Sequence, residues 1–438
     1  MEIDENTTPS TRDIIHAGFE NLGRAKELLS EVCSAGDLEL TQRELLGELA
    51  HCADPDVALD ALHELIISFA DRPGKLHGLL HGRSPRTLLQ VLGASRQLGV
   101  LMRSRPELVE AAAVDSLHSA GFDGEARRAT MLAAIDAHEE QLGAADSSDS
   151  SFRRLITDVP LAEATNRLRR NYYEQLAAIM AYDVSNDDPI AIQPAVSRAL
   201  SDLADAALES ALAIAQSNTE ESELLRFTII GMGKLGAQEL NYVSDVDLIY
   251  VVEPMAETMS QPQLVKVGSK IAMLMQKICQ SVMPNVMEPA LWQIDGALRP
   301  EGKDGPLVRR LDSHKAYYRQ WAESWEFQAL LKARAVAGDV PLGEAYMQMA
   351  SEFVWQASRR ENFVSDCQRM RERVESLIPV PLRDREIKLG RGGLRDVEFT
   401  VQMLQLVHGR ADETLHVRST LQALQALSDG GYVSRRHA

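Results

Sequence analysis

Residues 231–250 read GMGKLGAQELNYVSDVDLIY, a glycine-rich turn followed by two carboxylates at alternate positions. Immediately upstream, Phe227, Thr228, Ile229 and Ile230 favour a strand that ends in this turn. A second strand is predicted over 246–253, VDLIYVVE. Side chains two apart on a strand project to one face, so Asp245 and Asp247 converge there while Val246 and Leu248 turn to the core.

Two adjacent carboxylates form a platform for a hard cation, since Mg2+ takes oxygen ligands and combines one or two carboxylates with phosphate oxygens. Glycines at 231, 233 and 236 let the backbone approach a phosphate closely, Ser244 is placed to cap or orient the loop, and Lys234 adds positive charge beside the phosphates. A third carboxylate is expected on a neighbouring strand, predicted over 290–298 (ALWQIDGAL), where Asp295 takes that role. Three such groups would hold two Mg2+ ions at the entering and departing oxygens of an in-line displacement at phosphorus. An Asp-x-Asp pair alone also occurs in turns and calcium-like loops, and a glycine turn alone says less. Their succession as strand, turn, acidic strand and later acidic strand is what singles out this chemistry.

Around this centre the chain reads as helical. From about residue 11 to 145, apolar residues recur at spacings of three and four, as in Ile15, Phe19, Leu22 and then Leu59, Leu62, Ile66, Phe69, which predicts a helical bundle. The polar stretch AADSSDSS, 144–151, reads as a linker. Helical patterning resumes over 152–216, a helix is predicted over 262–282, and from 313 onward the pattern is helical again, broken by Pro341, by Pro379 with Pro381, and by LGRGG. The expected fold is α+β and predominantly helical, a small mixed sheet flanked by helical bundles, in three parts: 1–150, 151–312 and 313–438. The final LQALQALSDGGYVSRRHA opens a fresh helical element and stops soon afterward, which suggests a longer chain.

At 438 residues, the chain exceeds what one hydrophobic core organises. Its net charge of -18 would repel a phosphate backbone, so no nucleic-acid partner is expected; the acidity also reads simply as solubility. Cys33, Cys52, Cys279 and Cys367 form no CxxC pair, which argues against a zinc knuckle or a disulfide framework and fits a reducing cytoplasm. No apolar run approaches a membrane span, and residues 1–11 are polar and acidic rather than signal-like, so no membrane partner is expected and the location is cytoplasmic.

The order of glycine turn and acidic strand resembles the nucleotidyltransferase superfamily that includes DNA polymerase beta. A closer resemblance, over residues 231–402, is to the bifunctional glutamine synthetase adenylyltransferase and adenylyl-removing enzymes. It is carried by GMGKLG with SDVDLIY, then LRPEGKDGPLV, WEFQALLKARAVAGD and IKLGRGGLRDVEFTVQ. Members carry two similar halves, one removing AMP from a glutamine synthetase tyrosine and one attaching it, and this chain looks like the first.

The resemblance implies a nucleotidyltransferase core that removes AMP by phosphorolysis: inorganic phosphate attacks the phosphorus of the tyrosyl-AMP ester, and ADP and free tyrosine result. It implies Mg2+ on Asp245, Asp247 and Asp295, and a phosphate and nucleotide pocket shaped by Gly231, Gly233, Lys234, Gly236 and Ser244. Arg299 and Lys303, in LRPEGK, would bind the attacking phosphate or the AMP phosphate as fixed cations. Adenylylated glutamine synthetase would be the substrate, with PII-type signalling proteins and glutamine in control. One departure matters: many relatives have arginine two residues after the third carboxylate, where this chain has Ala297, so another cation must serve.

Two other functions stay open. One is an ATP-dependent adenylyltransferase acting on the same target, because carboxylates alone do not set the direction. The other is a non-catalytic regulatory module with a nucleotidyltransferase-like core, against which the three retained carboxylates argue.

Several further signals carry plainer readings. The stretch LGRGGLRDVEF, 389–399, either turns backbone N–H groups toward an anion with Lys388, Arg391 or Arg395 alongside, or merely caps the following helix through Asp396 and Glu398. His77 and His81 are spaced like a metal pair but lack a third ligand, which favours an exposed helix face or turn. Tyr318, Trp321 and Trp325 read as a packing stripe, Lys332 and Arg334 as a solvated helix end, and Arg167, Arg169 and Arg170 as a surface face able to dock an acidic partner.

Overall fold

The computed structural model describes residues 8–35, 38, 40–71, 76, 85–113, 123–142, 152–256, 259–383 and 385–436; the linker expected at 144–151 and the pair His77 and His81 lie outside them. Two compact units are present, one formed by residues 1–127 with 170–199, the other by 128–169 with 200–438.

The first unit is built from helices whose ends are written into the sequence. Ser10 and Thr41 each accept from the backbone N–H three residues on, while Asp13 and Glu44 reach back to the capping backbone. Asp54 caps the helix Pro55–Ser68, with Pro55 in its first turn where the missing N–H costs nothing. The predicted stripe Leu59, Leu62, Ile66, Phe69 is buried, together with Leu28, Leu29, Leu45 and Leu49. Each such leucine contributes on the order of 2 kcal/mol on leaving water. Of the other predicted stripe, Phe19 is buried, whereas Ile15 is 55% exposed because Ile14 takes the inward position on the helix Thr11–His16.

The second unit holds the sheets. A hairpin pairs β1 (His138–Leu142) with β2 (Phe152–Ile156), and cross-strand ion pairs Arg153–Glu139 and Arg154–Glu140 stitch it. Reading 152–216 as wholly helical therefore missed a strand before the long helices Leu161–Val184 and Pro189–Ser217.

The central sheet is mixed and small, as expected for an α+β chain. Its strands are β3 (Leu225–Gly231), β4 (Val246–Pro254), β5 (Ile294–Asp295), β6 (Val308–Arg309) and β7 (Arg334–Gly338). β3 runs antiparallel to β4 and to β7, whereas β5 and β6 lie parallel to β4 along its other edge, against Val246–Asp247 and Tyr250–Val251 respectively. The helix α1 (Gln261–Gln280) lies against β4 and β6, where Gly268 sits close to Val252 and Val308. The helix α2 (Val340–Val354) covers β3 and β7 and joins Ile230, Ile249 and Val251 in a core with Tyr346, Met349 and Phe327. Val251 and Val252 alternate, so α1 and α2 cover opposite faces. Two later helices, α3 (Leu394–His408) and α4 (Thr420–Asp429), complete the unit, and Leu406 of α3 packs into the core on the α2 face.

Three expectations change here. β7 lies in the region read as helical, because its sequence RAVAG is rich in alanine; it is fixed instead by antiparallel pairing with the distant β3, and Arg334 at its start is anchored by long-range bonds. Arg169 is not a surface residue: at 1% exposure its guanidinium donates to the carbonyls of Ile278 and Ser281, orphan acceptors at the end of α1, and of Glu288 in the loop beyond. The stripe Tyr318, Trp321, Trp325 is split between helices Leu311–Gln320 and Ser324–Leu330, with Tyr318 buried and Trp321 68% exposed. Among the described residues no helix is long and apolar enough to cross a membrane.

Candidate active site

The acidic residues gather where β4 begins. Asp245 is exposed one residue before the strand and Asp247 is half-buried within it, while Val246 and Leu248 between and beyond them are fully buried. Asp295 is exposed on β5 as the register partner of Asp247. That two-residue strand, shorter than predicted, is anchored by Val246 N donating to the Gln293 carbonyl at 3.0 Å and Ile294 N donating to Gln280 Oε1 at 2.8 Å. The carboxyl of Asp247 is pushed up to about 6, first by burial and then by Asp295 and Asp245, against the opposing pull of Arg395 and Lys388. Asp295 Oδ1 accepts from Ala297 N at 2.7 Å, so this carboxylate is engaged with its own loop. As the side chains stand, among the described residues no group of three or more His, Cys, Asp or Glu is arranged to hold a metal ion; three like charges without a counter-charge between them repel.

The glycine turn closes against this corner. Gly233 has φ +53°, and a Cβ there would stand 2.4 Å from Asp247 Oδ2. A Cβ on Gly236 would lie 1.9 Å from the Lys332 carbonyl oxygen. The close approach these glycines permit is thus to Asp247 and to the lead-in of β7. Met232 N donates to the Asp247 carbonyl at 2.8 Å, and Gly231 ends β3 opposite Leu248. Ser244 Oγ donates to the Asp245 carbonyl at 3.0 Å, orienting the loop before the strand. Lys234 is half-buried, and its pKa is lowered, first by burial and then by Lys388, with Glu398 opposing.

Arg299 and Lys303 differ from each other. The Arg299 guanidinium donates to the carbonyls of Gly296, Lys303 and Gly305, at 2.6 to 3.2 Å, and so ties its own loop. Lys303 is exposed and lines a cavity of about 400 Å3 together with Asp245, Asp295, Gln276, Gln293 and Arg299. Of the two cations, Lys303 is the one available to a ligand there.

The glycine-rich segment at 389–399 is capped from within. Gly392 N donates to Asp396 Oδ2 at 2.5 Å, and the N–H groups of Gly393, Leu394 and Arg395 go to the carbonyls of Gly390, Ile387 and Lys388. An ion pair from Arg371 to Asp396 fixes the same corner. No bare N–H nest is left at those positions; what the segment brings to the site is side-chain charge, because Lys388 and Arg395 both act on Asp247.

Lys332 and Arg334 do not form a solvated end. Lys332 is 5% exposed and bonds Glu239, Glu398 and Thr420, each at 3.0 Å. Arg334 pairs with Asp205 and donates to the carbonyls of Leu235 and Gly236, bracing the glycine turn from behind. Periodicity carries no trace of Glu239, Glu398 or Thr420 as partners, since they lie far apart in sequence.

With this geometry the chain can be set beside known proteins. A family model described as glutamate-ammonia ligase adenylyltransferase matches residues 86–349, more than half of the chain. A bifunctional glutamine synthetase adenylyltransferase/adenylyl-removing enzyme of Bifidobacterium longum subsp. infantis is 57% identical over 431 residues, 98% of this chain and 39% of the relative. The chain belongs to this family. Further members of it from Cutibacterium acnes and Mycolicibacterium smegmatis are 44% and 43% identical, over 88% and 90% of the chain and 37% of each relative. The chain therefore spans about two fifths of the length of the curated family members it matches. A second model, described as PII-uridylyltransferase, matches residues 368–438, the stretch that contains α3 and α4.

Proposed function

We propose that this chain removes AMP from adenylylated glutamine synthetase by phosphorolysis: a phosphate oxygen forms a bond to the phosphorus of the tyrosyl-AMP ester, the bond to the tyrosine oxygen breaks, and ADP and free tyrosine are released. The observation that carries the reading is that Asp245 and Asp295 line a cavity that also holds Lys303, with Asp247 beside them as the register partner of Asp295. Family membership supports the substrate, and the resemblance of residues 231–402 to the adenylyl-removing half supports the direction.

The oxygen donors suit Mg2+ by their chemistry, and Asp295 would have to leave its own loop to complete a set of three. Asp247 and Asp295 are in register on adjacent strands, the Asp247 carboxyl is held up first by burial and then by Asp295 and Asp245, and Gly233 leaves space at Asp247 Oδ2 that a side chain would fill. Asp245, Asp247 and Asp295 would hold the ion or ion pair, which when bound supplies charge neutralisation at the reacting phosphoryl oxygens. Ser244 and the glycine turn keep Asp245 and Asp247 in place, and Lys303 draws the phosphate anion into the cavity. Four unpaired cysteines support a reducing cytoplasm as the setting. The match over 368–438 supports a PII-type signalling protein as a partner, and adding one should change the rate.

The test is direct. AMP-modified glutamine synthetase incubated with the chain, Mg2+ and inorganic phosphate should yield ADP stoichiometrically with loss of the modification. Consumption of ATP with labelling of unmodified synthetase would reverse the direction; partner binding without turnover would leave a regulatory module.

A further inference from the structure

A network of buried charge outside the acidic corner points to how the site obtains its substrate-facing cation. Lys332 uses all three N–H donors, on Glu239 Oε2, Glu398 Oε1 and Thr420 Oγ1. Thr420 N donates to Glu239 Oε1 at 2.6 Å and closes the ring of contacts. An ammonium so buried is costly unless paired, and here it has two carboxylates for one charge. The surplus negative charge is matched on the far side: Glu398 Oε2 meets Arg395 Nη1 at 3.2 Å. Charge therefore alternates from Glu239 through Lys332 and Glu398 to Arg395, whose own positive charge is felt at Asp247.

The partners come from separate segments. Glu239 follows the glycine turn, Glu398 lies in the first turns of α3, and Thr420 opens α4. Asp247 shares its side of β4 with Ile249 and Val251, the side on which Leu406 of α3 is packed. Arg395, with 35% of its side chain exposed and open to a ligand, lies one turn before Glu398, which Lys332 ties to Glu239 behind the glycine turn whose Gly233 meets Asp247. Of the other cations, Arg299 ties its loop, position 297 is alanine, and Lys303 stands in the cavity where it serves capture.

Resting on the proposed function, we propose that Glu398 and Lys332 are positioning residues that hold Arg395 facing a phosphoryl group bound at Asp245, Asp247 and Asp295. Arg395 is the group that touches the substrate; the other two act only through it.

The experiment is a double-mutant cycle on the full chain, with ADP binding in the presence of Mg2+ read by calorimetry beside turnover of AMP-modified synthetase. Arg395→Gln should weaken ADP binding about tenfold and Glu398→Gln about threefold to tenfold, while the double variant equals Arg395→Gln within about twofold. Losses that multiply in the double variant, or a Glu398→Gln that binds ADP like the wild type, overturn the proposal. Lys332→Met strands two buried carboxylates and risks misfolding, so Glu398→Gln is the deciding variant, its circular dichroism and urea midpoint recorded alongside. A wild-type chain that neither binds ADP nor turns over sinks the proposed function itself, and this inference with it; intact turnover with a multiplicative cycle sinks the inference alone.

Discussion

Asp245, Asp247 and Asp295 come from one strand start and the strand beside it, the first and last exposed and Asp247 half-buried, and lie where backbone register alone puts them. On the basic side, Lys332 from the lead-in of β7 is held to Glu239, Glu398 and Thr420 by side-chain bonds that span long stretches of chain, and Glu398 in turn meets Arg395, whose charge acts on Asp247 with that of Lys388. The acidic side depends on the sheet and the basic side on a network. A substitution on the first should therefore strike chemistry and spare folding, and one on the second should strike both.

The largest effect should come from Asp247→Asn, with ADP release falling by about 10³-fold, roughly 4 kcal/mol of transition-state stabilisation, while the urea midpoint stays near wild type. A midpoint that fell with the rate would break the contrast. Next is Gly236→Ala, which drives a methyl group into the Lys332 carbonyl, backbone against backbone. A loss of about 3 kcal/mol in urea unfolding is expected, since neither segment can yield alone.

The scaffold behind both sides has a pH signature of its own. His314 is buried beside Tyr318 and Tyr346, and its pKa is lowered from 6.5 to about 3, first by burial and then by Arg309, with the Tyr250 backbone opposing. Between those values the unfolded chain binds a proton that the folded chain refuses. Stability is thus whole above pH 6.5 and is lost at about 1.4 kcal/mol per pH unit as pH falls toward 3. Urea titrations at pH 7 and pH 5.5 should reveal this slope, and His314→Phe should flatten it. The smallest effect is expected from Lys303→Ala: a rise of about tenfold in KM for phosphate, near 1.4 kcal/mol, with unchanged stability because the side chain is exposed. Were kcat to fall instead, Lys303 would belong with the reacting groups rather than with capture.

The same division explains what could be read from the sequence. A two-residue spacing on a strand is local information, so Asp245 and Asp247 were legible, and Asp295 followed from the next acidic strand. The Gly233 and Gly236 turn was legible as a place of close approach, though what it approaches is protein. β7 was hidden because alanine-rich RAVAG carries no strand signal until it pairs with β3, about a hundred residues away in sequence. Arg169 looked like part of a basic surface because nothing nearby in sequence reveals that carbonyls at the end of α1 and in the loop beyond it need a donor. Lys332 was misread for the same reason: its partners Glu239, Glu398 and Thr420 are distant, and a buried ammonium leaves no periodic trace.

The Arg299 guanidinium works as a buckle on the segment between β5 and β6, gripping Gly296, Lys303 and Gly305 by their main chain rather than by anything particular to their side groups. A fastening of that sort is indifferent to what is mounted on the strap. Positions such as 297 and 303 can therefore be exchanged for other residues without loosening the acidic corner, which leaves this segment a replaceable faceplate through which ligand preference can drift while the frame stays fixed.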